Sequence, residues 1–493
     1  MTPGPVAVAG VAFLLLAGWC FNNRRVDLSL AALGLYLGLL DGYIKLRTGN
    51  SLVTLARDIL LVAISAGALL RAITSDTRLP LPPLGGLVVA FAFVVVVEMF
   101  NPSGRPLQGA LAGLRQHLEF VPLFFLGYVF LRQETRLQKL LLILVVCAAI
   151  GGIVSYVQST LSPEQFAQWG PGYRERIFGT GVFTGAGRVA FGSSGETAVR
   201  PFGLGGDSGA GAAAAALALP ALIALFMQAR GALRITLIPC AVGIALAIAT
   251  SGSRAALITV FVSAVSFGLI AAASRNALRV IAGLAAGAVL VFGAFEYLGS
   301  NASTTTRART IAPSKALTTF STERGSSVLK IGEYITEVPL GVGVGTVGPA
   351  ASAFGRVSEG IQVYNAETEW NFLMIETGIV GLGLVLALNL RLMFLAMTRI
   401  RSIDKTTLRL QLAAISAPLF GLIAGGFAGP TTASVPTAPF IWLVCGVLSY
   451  WLITDFTARQ RFEREGPGPA RERPRRQPPE HRGAEQQLEY QRR

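Results

Sequence analysis

Apolar runs of about 20 residues recur along the whole chain, and each is long enough to cross a hydrocarbon core roughly 30 Å thick as a helix. They fall at 3 to 21, 26 to 44, 52 to 72, 81 to 100, 117 to 132, 137 to 157, 207 to 228, 234 to 250, 254 to 273, 277 to 298, 370 to 397, 407 to 427 and 437 to 455. Lipid offers the backbone no hydrogen-bond partner, so a crossing segment must satisfy its own N–H and C=O groups. The alternation that marks membrane strands is absent, which leaves helices. The expected fold is an all-α polytopic membrane protein with about 12 to 13 transmembrane helices. A chain that is 52% hydrophobic and 14% charged is no soluble globular protein.

Basic residues set the expected orientation. Threading the runs through a bilayer puts Arg24, Arg25, Arg71, Arg78, Arg132, Arg136, Lys139, Arg230, Arg234, Arg275, Arg279, Arg399, Arg401 and Lys405 on one side, which is then cytoplasmic. The N-terminus is expected outside and the C-terminus inside. The first run lacks a basic leader and a small-residue cleavage site and is read as a retained helix. The tail from 456 to 493, rich in Arg, Glu, Gln and Pro, reads as a disordered basic cytoplasmic extension. A net charge of +15 is accounted for by orientation and by this tail, so nucleic acid is not an expected partner, whereas membrane lipids are. The four cysteines stand singly in apolar runs with neither disulfide nor metal-ligand spacing. With His117 and His481 the only histidines, neither a zinc site nor a His-based triad has material, and no metal or cofactor is expected.

One long polar interruption, 299 to 369, divides the bundle 1 to 455 on the external side. Loops well beyond about 12 to 15 residues usually carry a function or are disordered. This one holds Arg324, Glu367 and Glu369. Further arginines stand at external span ends against the positive-inside trend: Arg115 closing 101 to 115, Arg200 in Val-Arg-Pro-Phe-Gly, and Arg254 in Ser-Gly-Ser-Arg-Ala-Ala. Each alone reads equally as a side chain snorkelling to headgroups; together they suggest a convergent anion site. Guanidinium groups grip phosphate through paired donors and keep their charge, which suits a diphosphate at the membrane surface. Ser251 and Ser253, and Asp207 and Ser208, stand where N-caps would be, adding free N–H groups nearby. A carboxylate among Glu367, Glu369 and Glu376 could take a proton from an attacking sugar hydroxyl, although solvated loop charges are the plainer reading of Glu367 and Glu369. Gly343-Val-Gly345-Thr-Val-Gly348 fits a dinucleotide pattern but has no strand-to-helix unit around it, and reads as a turn-rich segment.

The order of these pieces resembles the bacterial O-antigen ligase and polymerase family: Asn-Pro…Leu-Arg (101 to 115), Arg-x-Phe-Gly (200 to 203), Ser-Arg-Ala-Ala (253 to 256), Pro-Leu-Gly-Val-Gly-Val-Gly (339 to 345) and Glu-Thr-Gly-Ile-Val-Gly (376 to 381). The resemblance runs from Asp58 to Tyr450. It implies a C-type glycosyltransferase fold that needs no metal and transfers a glycan, with inversion, from undecaprenyl pyrophosphate to an acceptor glycan or glycolipid on the outer face of the plasma membrane. It further implies that Arg200, Arg254 and Arg115 hold the pyrophosphate. Where the ligase branch carries a His-Asn pair upstream of Glu376, this chain has Glu367 and Thr368, which favours a polymerase or divergent ligase with Glu367 as base. The rival reading is a flippase for the same lipid-linked glycan. The absence of an internal repeat and of paired interrupted helices counts against it.

Overall fold

The structure is a computed structural model that describes residues 3–75, 80–103, 106–179, 189–191, 197–250, 253–271, 326–348, 351, 366, 368–431 and 434–457. The expected crossing at 277 to 298, Arg275, Arg279, Arg324, Glu367, Ser251, most of the loop from 299 to 369 and the tail from 458 onward lie outside the described residues.

The apolar runs fold as helices. They are α1 (Pro3–Asn22), α2 (Val26–Leu35) continuing through a π turn into α3 (Asp41–Thr48), α4 (Leu55–Thr74), α5 (Gly85–Glu98), α6 (Leu107–Leu118) and α7 (Pro122–Phe130). The long α8 (Glu134–Ser159) is followed by the short α9 (Pro163–Ala167) and α10 (Pro171–Phe178). Then come α11 (Ala210–Gln228), α12 (Ala232–Thr250), α13 (Arg254–Ala271), α14 (Ser326–Glu337), α15 (Glu369–Arg399), α16 (Thr406–Gly425) and α17 (Thr437–Ser449). Seven helical stretches are long and apolar enough to cross a membrane, and Gly10–Asn22, Gly85–Glu98 and Ala255–Ala271 are shorter apolar ones. This is an all-α polytopic membrane protein. Its one departure among the described residues is a small antiparallel hairpin, Val189–Phe191 with Thr197–Val199, in the polar stretch before Arg200.

The expected crossing at 117 to 132 is not a single helix. The chain folds there as α6 and α7, broken at Glu119 with Pro122 in the first turn of α7. Proline fits a helix start, where its missing N–H would have no helical partner. Nine residues of α7 rise only about 14 Å, too little to span a bilayer alone.

Small residues set the packing. In lipid, helices gain nothing by hiding apolar surface from one another, so close backbone approach has to supply the contact energy. A Cβ on Gly152 of α8 would sit 1.9 Å from the Gly243 carbonyl oxygen of α12, and one on Gly446 of α17 would sit 1.9 Å from the Phe124 carbonyl oxygen of α7. Gly211, Ala212, Ala215 and Ala216 of α11 are buried in the same manner at the bundle centre.

The bundle has two polar ends. At one end Arg71 bonds to the Phe21 carbonyl, Arg136 Nη1 to Phe130 O at 2.6 Å, Arg399 Nη1 to Leu452 O at 2.6 Å and Arg401 Nη2 to Leu269 O at 2.7 Å. Lys405 pairs there with Glu134 at 2.7 Å. Arg71, Arg136, Arg399 and Arg401, which the sequence placed on one side, are thus tied to carbonyls in the last turns of helices, where cations suit the dipole. The opposite end carries α3's last turn, α6, α9, α10, the segment 200–209 and the start of α13.

Candidate functional site

At the second end the chain interrupts α15. Gly378 has φ 62 and ψ −171 in the middle of the helix, a conformation that favours glycine. In an unbroken helix Ile379 N–H would donate to Ile375 O. Here Ile375 O accepts from Val342 N–H at 2.8 Å and Ile379 N–H donates to Pro339 O at 2.9 Å. The loop after α14 therefore slots into one missing helical hydrogen bond and satisfies both of the groups it leaves. Backbone polar groups without water need such replacement. The Pro-Leu-Gly-Val-Gly-Val-Gly and Glu-Thr-Gly segments, far apart in sequence, meet here directly.

This glycine loop is buried rather than an exposed turn: Val344 is fully enclosed and Val347 is 4% exposed. A Cβ at Gly345 would lie 2.1 Å from Gly109 O of α6, and one at Gly113 would lie 2.2 Å from Gly345 N, so glycines face one another across the α6 contact. Helix α5 closes the third side. Glu98 accepts from the Gly343 N–H, and Asn101 donates to Glu98 Oε2 at 2.7 Å.

Glu376, fully buried, anchors the arrangement. Its Oε1 accepts from Val347 N–H at 2.9 Å, and its Oε2 lies 2.7 Å from His117 Nε2 of α6. The imidazole is stacked on Phe372 with centroids 5.1 Å apart and meets the Phe91 ring edge-on at 6.1 Å. With a hydrogen-bond partner on each oxygen in an apolar box, the carboxyl group is satisfied and held in place.

One turn away α6 enters a denser network. Arg57 of α4 lies 2.5 Å from Glu119 Oε1 and 3.2 Å from Asp41 Oδ2, and Arg115 Nε lies 2.8 Å from Asp58 Oδ2 and 3.7 Å from Glu119. Glu119 sits in the break between α6 and α7. Burial pushes its carboxyl up, Arg57 opposes this, and Asp58 adds to it. Beyond Asp41, Lys45 lies within electrostatic reach of Arg57, Arg176 and Asp207, and Arg176 Nη1 is 3.5 Å from Asp207 Oδ2.

Asp207 belongs to the segment that begins at Arg200. Gln158 of α8 shapes it, its Oε1 accepting from Phe202 N–H at 2.8 Å and Gly203 N–H at 2.7 Å. The segment closes at Gly209, whose N–H donates to Pro201 O at 3.0 Å. A Cβ on Gly209 would lie 3.3 Å from Ser253 Cβ. Ser253 caps α13 by accepting from Ala256 N–H at 3.4 Å, so the expected cap is made, whereas Gly209 precedes α11 without a side-chain cap.

The structure thus brings the Arg200 segment against the start of α13, which Arg254 opens; the Arg254 side chain, with Arg324 and Glu367, is outside the described residues. Arg200 is half-buried. Arg115 is engaged by Asp58. Glu369 departs from the plainer expectation of a solvated loop charge: it is 1% exposed, its N–H donates to Gly426 O at 2.9 Å and its Oε2 accepts from Thr431 N–H at 2.6 Å. Sequence reasoning missed His117, set aside for lack of a triad. The available signal was Glu376, an ionisable residue inside an apolar run, which requires a partner.

Residues 239–386 match a family model described as O-Antigen ligase. A search of the curated proteins gave no match. The matched stretch, about a third of the chain, takes in the second half of α12, then α13, α14, the glycine loop and the broken start of α15, and in this region the chain is similar to the O-antigen ligases.

Proposed function

We propose that the chain transfers a glycan from a polyprenyl diphosphate, undecaprenyl pyrophosphate in bacteria, to a hydroxyl of an acceptor glycan or glycolipid. The reaction takes place at the membrane face opposite the arginine-rich end, which is the outer face of the plasma membrane, with the C-terminus cytoplasmic. The observation that carries this reading is the meeting of the Arg200 segment with the capped start of α13, the latter inside the stretch that the O-Antigen ligase model matches.

Arg200 and Arg254 hold the diphosphate, helped by the free N–H groups of the first turn of α13. The acceptor oxygen attacks the anomeric carbon, the carbon–oxygen bond to phosphate breaks, and the diphosphate leaves with the electron pair. Glu367 takes the hydroxyl proton. The configuration inverts, and no metal is needed because the arginines balance the departing charge. Arg324 closes over the donor from the loop. Arg115, engaged by Asp58, and Glu369, bonded to Thr431 N–H, hold their helices in place around it.

Reconstitution in lipid nanodiscs with an undecaprenyl-pyrophosphate oligosaccharide tests this. Wild type forms a new glycosidic bond, Arg254→Ala and Arg200→Ala lose about 10²–10³-fold in rate, and Glu367→Gln loses transfer while retaining donor binding. Full activity in Glu367→Gln overturns the base. Passage of the lipid across vesicles with no new bond makes the protein a flippase.

A further inference from the structure

A second polar feature lies beside this site and has no part in the diphosphate chemistry. The connection after α8 folds into α9, started by a capping box in which Ser162 and Gln165 bond reciprocally, and α10. Together they enclose a small core of Leu46, Phe166, Tyr173, Ile177, Val199 and Phe202, separate from the main one. Val199 and Phe202 flank Arg200, so this core fixes that arginine's segment on one side. Trp169, which packs against the same core, also lines a surface pocket of about 390 Å³ with Tyr43, Arg47, Gln165 and Gln168.

The lining has the chemistry of a sugar-binding site: two aromatic rings, two amides and a guanidinium, with no carboxylate. Sugars present flat C–H faces that suit the electron-rich face of an aromatic ring, and hydroxyls that pair with amides and guanidinium. Trp169 meets Phe166 and Tyr173 in T-shaped contacts, with centroids 5.6 and 6.0 Å apart, and neither ring stacks on the indole. Among the described residues the Gln168 amide makes no hydrogen bond and no carboxylate pairs with Arg47, whose Nη1 donates to the Trp169 carbonyl and so holds the two sides together. The pocket is within the usual size range for small ligands. It lies at the last turn of a membrane-crossing helix, Val26–Thr48. Lys45, between Tyr43 and Arg47, is in reach of Arg176 and Asp207.

We propose that Tyr43, Arg47, Gln165, Gln168 and Trp169 form a saccharide subsite that binds one sugar unit of a glycan substrate while the diphosphate occupies the Arg200–Arg254 end. This rests on the glycosyl-transfer reading above. The sugar comes from the acceptor chain or from the glycan of the donor, and kinetics distinguish them.

The test uses full-length protein in nanodiscs and measures KM for donor and acceptor separately in wild type, Trp169→Ala, Trp169→Phe and Gln168→Ala. Trp169→Ala raises KM for one of the two glycan substrates about tenfold with kcat and the other KM unchanged, and Trp169→Phe, which keeps a flat ring, recovers most of it. Gln168→Ala, at an exposed side chain free to change without disturbing the fold, shifts the same KM less. A rise confined to acceptor KM assigns the subsite to the acceptor, and one confined to donor KM assigns it to the donor. Unchanged KM values in both Trp169→Ala and Gln168→Ala overturn the subsite and leave Trp169 as an interfacial anchor. A lipid-free oligosaccharide released from the donor is titrated in parallel, reading the tryptophan quenching that Trp169→Phe removes. Quenching with no transfer by wild type keeps the subsite and overturns the transferase; transfer with unaltered KM values and no quenching does the reverse.

Discussion

Helix α6 touches two buried polar clusters of opposite design. Arg115 belongs to a crowded network in which it and Arg57 share the carboxyl groups of Asp41, Asp58 and Glu119. Two residues on, His117 faces a sparse one, a single carboxylate held by an imidazole and one backbone N–H. The crowded cluster binds helices α3, α4 and α6 by charge, and each member is compensated only while the others stay. The sparse pair binds α6 to the glycine loop and the α15 break through directional bonds, and its balance survives changes of charge that keep a donor facing an acceptor. Buried ions tolerate joint removal better than removal of one partner, so the two clusters should respond differently to mutation.

The largest effect lies at the break that the sparse pair supports. A Cβ on Gly378 would lie 2.4 Å from the Leu340 carbonyl carbon in a left-handed conformation, so Gly378→Ala costs at least about 4 kcal/mol by thermal unfolding in detergent. In the crowded cluster, Arg57→Ala costs about 3–5 kcal/mol, and combining Arg57→Met, Asp41→Leu and Glu119→Leu recovers most of that loss. A triple variant as unstable as Arg57→Ala would break the comparison, since the cluster would then act through geometry rather than mutual compensation. In the sparse pair, His117→Phe strips Glu376 Oε2 of its donor and costs about 1–3 kcal/mol, whereas Glu376→Gln, whose amide can still meet both neighbours, costs no more than about 1 kcal/mol. Glu376→Gln matching Arg57→Ala would show that charge rules both clusters. The smallest change is Glu369→Gln, which keeps an acceptor for Thr431 N–H and costs under about 1 kcal/mol.

Much of this molecule is legible in its sequence. Apolar length alone locates the helices, and the arginines tied to helix C-termini, such as Arg136 and Arg399, are among those that set the expected orientation. The order of the motifs around Arg200, Ser253, Gly341 and Glu376 carries the family resemblance without any knowledge of the fold. The break at Gly378 was hidden because the run 370 to 397 is continuously apolar and glycine adds no periodic signal to such a run. Arg57 has no signature in the sequence, because its partners at 41 and 119 are joined to it only by tertiary packing. His117 was judged by a chemistry that needs more histidines, when its role is to meet a single carboxylate. Arg200 and Arg254 were expected to converge, and their segments are neighbours through Gly209 and Ser253.

The seating of the glycine loop in α15 has a mechanical outcome. Withdrawing it would forfeit two backbone bonds, Val342 to Ile375 and Ile379 to Pro339, and a straightened helix would regain just one. The glycine loop thus behaves as a splint set into the rod it interrupts, and the direction of the first two turns of α15, ahead of Gly378, is dictated by residues 339 to 342.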